Sequence, residues 1–254
     1  GPVLSDAIND QLRTVLGPSG KRPAYIAERI KKTWELGDGW AKHATVEVAL
    51  GTREGSSVRG GALGGLHDGA LADAAAVESF AEKVCGEHGV PDVVVNNAGV
   101  GHAGYFLDTP ADEFDRVLDI NFGGVVNGCR SFARRLVERG TGGHIVNIST
   151  SLVGQADKKV PSVLASLTKG GLDAATRSLA IEYADKGIRV NAVALGTIDT
   201  PMHDPATHPF LAALHPMGRL GTLDDVVDAV LYLERAGFVT GEILHVDGGQ
   251  SAGH

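Results

Sequence analysis

"VPDVVVNNAGV", residues 90–100, is a short, unbroken apolar run that ends in asparagine and glycine. A strand with one face in water alternates apolar and polar residues, whereas one covered on both faces reads as a continuous apolar run. The stretch therefore predicts an interior strand of a parallel sheet. After it, "TPADEFDRVLDINFGGVVNGCRSFARRLVERG" opens on Thr109-Pro110 with acidic first-turn residues, repeats apolar positions at helical spacing and closes on Arg139-Gly140, which marks both ends of a long helix. "GGHIVNIST" predicts the next strand, residues 162–186 the next helix and "GIRVNAVALG" a further strand. "LDDVVDAVLYLERA" predicts another helix and "GEILHVDGG" a last strand. Strand, helix, strand in repetition implies parallel pairing through right-handed crossovers. The expected fold is thus α/β, a doubly wound, Rossmann-like parallel sheet in three α/β/α layers. Ligands of such sheets sit beyond the carboxyl ends of the strands. Those ends carry Asn96-Asn97-Ala98-Gly99, Ser149-Thr150-Ser151 and Leu195-Gly196-Thr197.

The chain has 254 residues, 43% of them hydrophobic, enough for one sizeable core, so residues 1–254 are expected to form a single domain. Within it the strand–helix alternation is clear only from residue 76 onward, which sets residues 1–75 apart, and residues from about 197 to 220 read as a Pro-rich loop. A formal net charge of −8, with no basic run beyond Lys21-Arg22, gives no footprint for nucleic acid or anionic lipid. The expected partner is a small molecule. Cys85 and Cys129 allow neither a disulfide framework nor a CxxC metal site, which points to a reducing compartment. No apolar run approaches the ~20 residues that span a bilayer, and Gly1-Pro2 looks like the remnant of an expression tag rather than a signal peptide. The expectation is a soluble, cytoplasmic protein with no nucleic-acid or membrane partner.

"NNAG" at 96–99, "DINFGG" around Asn121, "GGHIVNISTSLVG", "SLTKGGLDAATRSLAIEYADKGIRVNAV", "TIDTPM" and "VTGEILHVDGGQS" occur in this order. Together they resemble the short-chain dehydrogenase/reductase family over roughly residues 76–254, and several motifs in register are far more specific than any one. The resemblance implies an oxidoreductase that binds NAD or NADP and acts on a carbonyl or alcohol group. It implies that Asn121 holds a water in a proton relay and that Lys169 binds the nicotinamide ribose and lowers the pKa of the catalytic acid. It further implies cofactor contacts from Asn97, Ala98, Gly99, Gly196, Ile198 and Thr200. The hydroxyl that polarises the substrate oxygen falls on Thr150 counting from "NI" and on Ser151 counting back from Gly154; Ser151 is preferred for its separation from the acid position. Gly170, Gly171, Ala174 and Ala175 permit close helix approach. By the same resemblance this helix and the one from 111 would pair in a homodimer or homotetramer.

The departures are equally informative. The family's tyrosine acid falls on Ala165, and a methyl group has no proton to give. The glycine-rich phosphate turn is absent in its usual form; the nearest candidate is Gly17-Pro18-Ser19-Gly20, after "LRTVL" as a first strand and before a helix over 24–36. "ATVEVALGT", 44–52, suits a second strand, and Arg53 directly after it suits the 2′-phosphate of NADP, which tilts the choice of coenzyme that way. Where the family has an acidic pair near the adenine, this chain reads Ala70-Leu71-Ala72-Asp73.

His203, His208 and His215 fit no metal-ligand spacing, so no metal is expected and they are expected to line or cover the pocket. Tyr183, at a helix end, is expected to pack into the core. His102 and Tyr105 follow the strand that ends at Asn96 and are the candidates for a replacement proton donor. Two readings remain open. One is an oxidoreductase with altered or weakened catalysis. The other is a non-redox protein on the same scaffold, a lyase, cyclase or binding subunit.

Overall fold

In the computed structural model, which describes residues 47–49, 71–102 and 104–253, strands and helices alternate along the chain. They are β1 (Glu47–Ala49), α1 (Ala74–His88), β2 (Val93–Asn96), α2 (Ala111–Leu118), α3 (Val125–Arg139), β3 (Gly143–Thr150), α4 (Val163–Tyr183), β4 (Ile188–Leu195), α5 (His208–Ala212), α6 (Leu223–Arg235) and β5 (Ile243–Val246). The strands form one sheet in the order β1-β2-β3-β4-β5. From β2 to β5 every pairing is parallel, with Val93 opposite His144, Gly143 opposite Ile188 and Ala192 opposite Ile243. The doubly wound α/β sheet predicted from the alternation is therefore present.

Because strand side chains alternate, the apolar runs feed two cores at once. Val94, Ile145, Ile188 and Val190 point to one face, where they pack with Val77 and Val84 of α1, Phe132 and Leu136 of α3, and Leu164 and Leu172 of α4. Val93, Val95, Val146, Ile148, Val193 and Leu195 point to the other, against Val226, Val230 and Leu233 of α6. Each such side chain contributes about 1.5–3 kcal/mol when fully buried, which is why the strands lack the polar alternation of a one-sided sheet. Tyr183 packs against the first core as expected. Capping fixes the crossovers: Asp73 accepts from Ala75 N at the start of α1, α3 stops at Gly140, and Thr222 and Asp225 close a reciprocal capping box on α6.

Two expectations need correction. The strand expected at 44–52 exists as β1, but it runs antiparallel to β2, with Glu47 opposite Val95; apolar spacing marks a strand and carries no information on its direction. The helix expected to run unbroken from 109 to 140 contains a π-helical segment, Asp119–Gly124, between α2 and α3. An i→i+5 segment inserts extra chain without ending the helix, so side-chain periodicity still reads as helical. The proposed phosphate turn Gly17-Pro18-Ser19-Gly20, the helix over 24–36 and Arg53 lie outside the described residues. Among the described residues no helix is long and apolar enough to cross a membrane.

Candidate active site

The carboxyl ends of β2, β3 and β4 open onto a cavity of about 230 Å3. Its polar wall is Asn97, Asn121, Ser149, Thr150, Lys169, Thr200 and His203. Its apolar wall includes Val100, Ile148, Ala165, Leu195, Ile198 and Met202. Three elements meet here for local reasons. The π-helical segment places Asn121, 3% exposed, beside the loop after β2, where its Oδ1 accepts from Val100 N at 2.7 Å and its Nδ2 donates to Val100 O at 2.9 Å. Both amide groups are thus spent on clamping that loop. Gly99 lies in the clamp, and a Cβ there would stand 3.2 Å from Asn121 Oδ1 and 3.5 Å from Lys169 Nζ. A larger residue would meet Lys169 at ordinary contact distance but would press on the Asn121 amide that clamps the loop.

α4 presents Ala165 and, one turn later, Lys169 to the cavity. The Lys169 ammonium donates to Ile148 O, at 2.8 Å, across the end of β3. Burial pulls its pKa down to about 8, with the Asp173 carboxylate opposing the shift. Asp173, one further turn along, is itself buried, and its carboxyl is raised by that burial despite the Ser149 hydroxyl, Arg177, His245 and Lys169 nearby. Neither Ser149 Oγ nor Asp173 Oδ1 completes a hydrogen bond, so the two lie near one another without closing one. On the β4 side, His215 Nε2 accepts from Thr197 N at 3.0 Å, which leaves the ring proton on Nδ1, buried and without a partner. Gly196 must be glycine for this contact, because a Cβ would lie 2.7 Å from His215 Nε2.

The structure therefore brings together Asn97, Gly99, Asn121, Lys169, Gly196, Ile198 and Thr200. Ala98 is not in the cavity wall; it is 6% exposed and packs in the core. Ser151 is not in the wall either. The chain turns into a 3-10 segment at Ser151–Val153 directly after β3, which buries this hydroxyl and lets it donate to Gln250 Oε1 at 2.9 Å. Of the three hydroxyls at the end of β3, Ser149 and Thr150 line the cavity. Of the replacement donors expected, His102 is tied to Glu113 Oε1 at 3.3 Å and Thr109 Oγ1 at 3.0 Å, and Tyr105 is 68% exposed. Neither lines the cavity. His215 underpins the Gly196–Thr197 turn, His208 lies near Asp199 at 3.9 Å, and His203 lines the wall. The anchor of Lys169, the Ile148 carbonyl, had no signal in the sequence because every residue has one.

An ammonium offers three donors, and one hydrogen bond of Lys169 is to Ile148. A ligand hydroxyl in the cavity would complete its shell, and the adjacent Asn97, Thr150 and Thr200 supply further donors and acceptors. This donor set fits the ribose and amide of a nicotinamide nucleotide. Gly17-Pro18-Ser19-Gly20, the stretch expected to meet its pyrophosphate, lies outside the described residues.

The family described as Enoyl-(Acyl carrier protein) reductase matches residues 64–251. "Probable oxidoreductase EphD" of Mycobacterium tuberculosis is 54% identical over 130 residues, 51% of this chain and 22% of that protein. The chain thus spans about a fifth of the length of this relative. A short-chain type dehydrogenase/reductase from Mycobacterium marinum superposes with a TM-score of 0.68 at 29% identity, over 72% of this chain and 74% of that one. ElxO with NADP bound superposes with a TM-score of 0.67 at 31% identity, over 72% and 76%.

Proposed function

The chain belongs to the short-chain dehydrogenase/reductase family, and from that premise we propose that it is a nicotinamide-dependent oxidoreductase acting on the carbonyl or alcohol group of a small molecule. The observation that carries the reading is the buried Lys169 ammonium in the cavity wall, with its partner Ile148 O on one side and Asn97, Asn121 and Thr200 around it. A bound nicotinamide coenzyme would supply or accept the hydride. Lys169 would hold the ribose hydroxyls and bring positive charge to the reacting end. Asn121 fixes the loop at Val100 and with it the wall against which the substrate rests. Thr150 offers the hydroxyl that polarises the substrate oxygen, in place of Ser151. The apolar side chains of Ile148, Ala165, Leu195 and Met202 exclude water from that oxygen.

NADP is the proposed coenzyme. ElxO, similar in fold, has it bound, and Arg53 follows the β1 segment. A second copy of the chain is the proposed partner, seated on the apolar residues Val163, Leu167 and Ile181 that α4 exposes; light scattering at micromolar concentration should give a dimer or tetramer, and a monomer would remove this point.

Ala165 in the wall favours a second reading, non-redox chemistry in the same cavity. Titration with NADPH and NADH, followed by coenzyme fluorescence, separates the two. The oxidoreductase reading predicts micromolar binding of at least one, tighter for NADPH. Millimolar or weaker binding of both overturns it in favour of the non-redox one.

A further inference from the structure

An oxidoreductase of this kind must still move a proton to or from the substrate oxygen, and Ala165 cannot. Among the described residues that line the cavity, Lys169 and His203 are the ones with side chains that titrate near neutral pH. Lys169 is committed to Ile148 O and, as an ammonium, has no lone pair with which to accept a proton. His203 is placed differently. It follows Thr200, Pro201 and Met202 in the wall, and its backbone N–H donates to Thr200 O at 3.0 Å, which fixes the turn that carries it. His208, from α5, approaches the His203 carbonyl oxygen with Nε2 at 3.3 Å, and the same nitrogen lies 3.9 Å from Asp199 Oδ1. The other candidates are held elsewhere: His102 by Glu113 and Thr109, Ser151 by Gln250, and Tyr105 on the exposed surface.

We propose that His203 is the proton carrier of this site, an assignment that rests on the oxidoreductase reading above. In alcohol oxidation the neutral imidazole of His203 accepts the hydroxyl proton. The O–H electron pair becomes the second bond of the carbonyl, and the carbon releases its hydrogen with an electron pair to the oxidised nicotinamide coenzyme. In reduction the imidazolium returns that proton to the oxygen. The charged groups that act on His203 are His208 from α5 and Asp199 from the turn after β4, and Lys169 on α4 lines the same cavity. Burial and the His208 charge lower the His203 pKa, and Asp199 opposes them. The shift favours the neutral ring, the form that acts as the base oxidation requires.

The test pairs His203→Gln with the wild type. Oxidation of cyclohexanol, 2-butanol and 1-phenylethanol by NADP or NAD is followed against pH, and the histidine rings of the coenzyme-free protein are titrated by NMR, with the His203 resonance identified by its loss in the variant. The expected wild-type kcat/KM rises with pH to a plateau through an inflection below the ordinary histidine value, and the NMR pKa of His203 coincides with it. His203→Gln should bind coenzyme as the wild type does, lose the inflection and oxidise about 10²–10⁴-fold more slowly. Coenzyme binding by both proteins with the same pH profile, a His203 NMR pKa that differs from the kinetic one, or no oxidation of any of these alcohols by a coenzyme-bound wild type overturns this assignment alone. Failure of the wild type to bind either coenzyme overturns the oxidoreductase reading and takes the assignment with it.

Discussion

The two ends of β3 and β4 bury polar groups in opposite ways. At the amino end, His144 is 1% exposed, its Nε2 accepts from Asn191 Nδ2 at 3.0 Å and its Nδ1 faces Glu234 Oε2 at 3.3 Å. Asn191 also donates to Val239 O and accepts from Glu242 N, while Arg189 donates to Leu233 O, Val239 O and Glu234 O. Apart from Arg139 Nε, no buried side-chain donor or acceptor described there lacks a partner. At the carboxyl end, Ser149 Oγ, Asp173 Oδ1 and His215 Nδ1 all do. Unsatisfied buried polar atoms cost about 1–3 kcal/mol each. Among the described residues, the buried side-chain atoms without a partner, Arg139 Nε apart, therefore gather at the carboxyl end, where Ser149 also lines the cavity.

The largest effect that would break this contrast is expected at the amino end. His144→Ala removes one partner from Asn191, takes the ring from Glu234, which keeps Arg189 at 3.6 Å, and opens a hole in a packed interface, so unfolding should cost about 2–4 kcal/mol less, read as a lower denaturation midpoint. A variant as stable as the wild type would show that the network is ornamental. The same ring sets an acid limit. Its pKa is lowered by burial, with Glu234 opposing. The unfolded chain therefore binds the proton at a higher pH than the folded one, and this contribution is lost as pH falls below the ordinary histidine range. His144→Ala should lack that loss.

A smaller effect, of opposite sign, is expected at the carboxyl end. The folded pKa of Lys169 lies near 8, below its ordinary 10.5. Between those values the unfolded state holds more protons, so wild-type stability should rise with pH across that window. Lys169→Met removes the buried charge; its melting temperature at pH 7 should match or exceed the wild type's, and any advantage should shrink toward pH 10. A clear loss of stability at pH 7 would place Lys169 with the structural residues instead.

The elements were legible where ends are marked chemically: Thr109-Pro110 and Gly140 bracket α2 to α3, and Thr222 with Asp225 opens α6. Asn121, Lys169 and Thr200, singled out by their motifs, all line the cavity, the first two from helix interiors and the third from the loop after β4. What escaped the sequence depends on backbone path. The π-helical segment leaves the apolar spacing helical, and the direction of β1 is not written in its apolar residues. Ser151 and Thr150 are neighbours in sequence, and only the 3-10 turn after β3 decides which hydroxyl faces the cavity. His102 and Tyr105 follow β2 closely in sequence yet lie off the cavity, while His203 reaches it from the loop after β4. Proximity along the chain was the wrong guide there.

The contrast between the two ends is tested most directly by coenzyme binding to the two variants side by side. NADPH fluorescence titrations of wild type, His144→Ala and Lys169→Met, at a temperature where all three are folded, should give the first two the same dissociation constant. Lys169→Met should bind at least about tenfold more weakly, the equivalent of one lost charge-assisted hydrogen bond of about 1.4 kcal/mol. Equal binding by wild type and Lys169→Met, or a loss confined to His144→Ala, would contradict the claim that the carboxyl end holds the coenzyme and the amino end holds the fold.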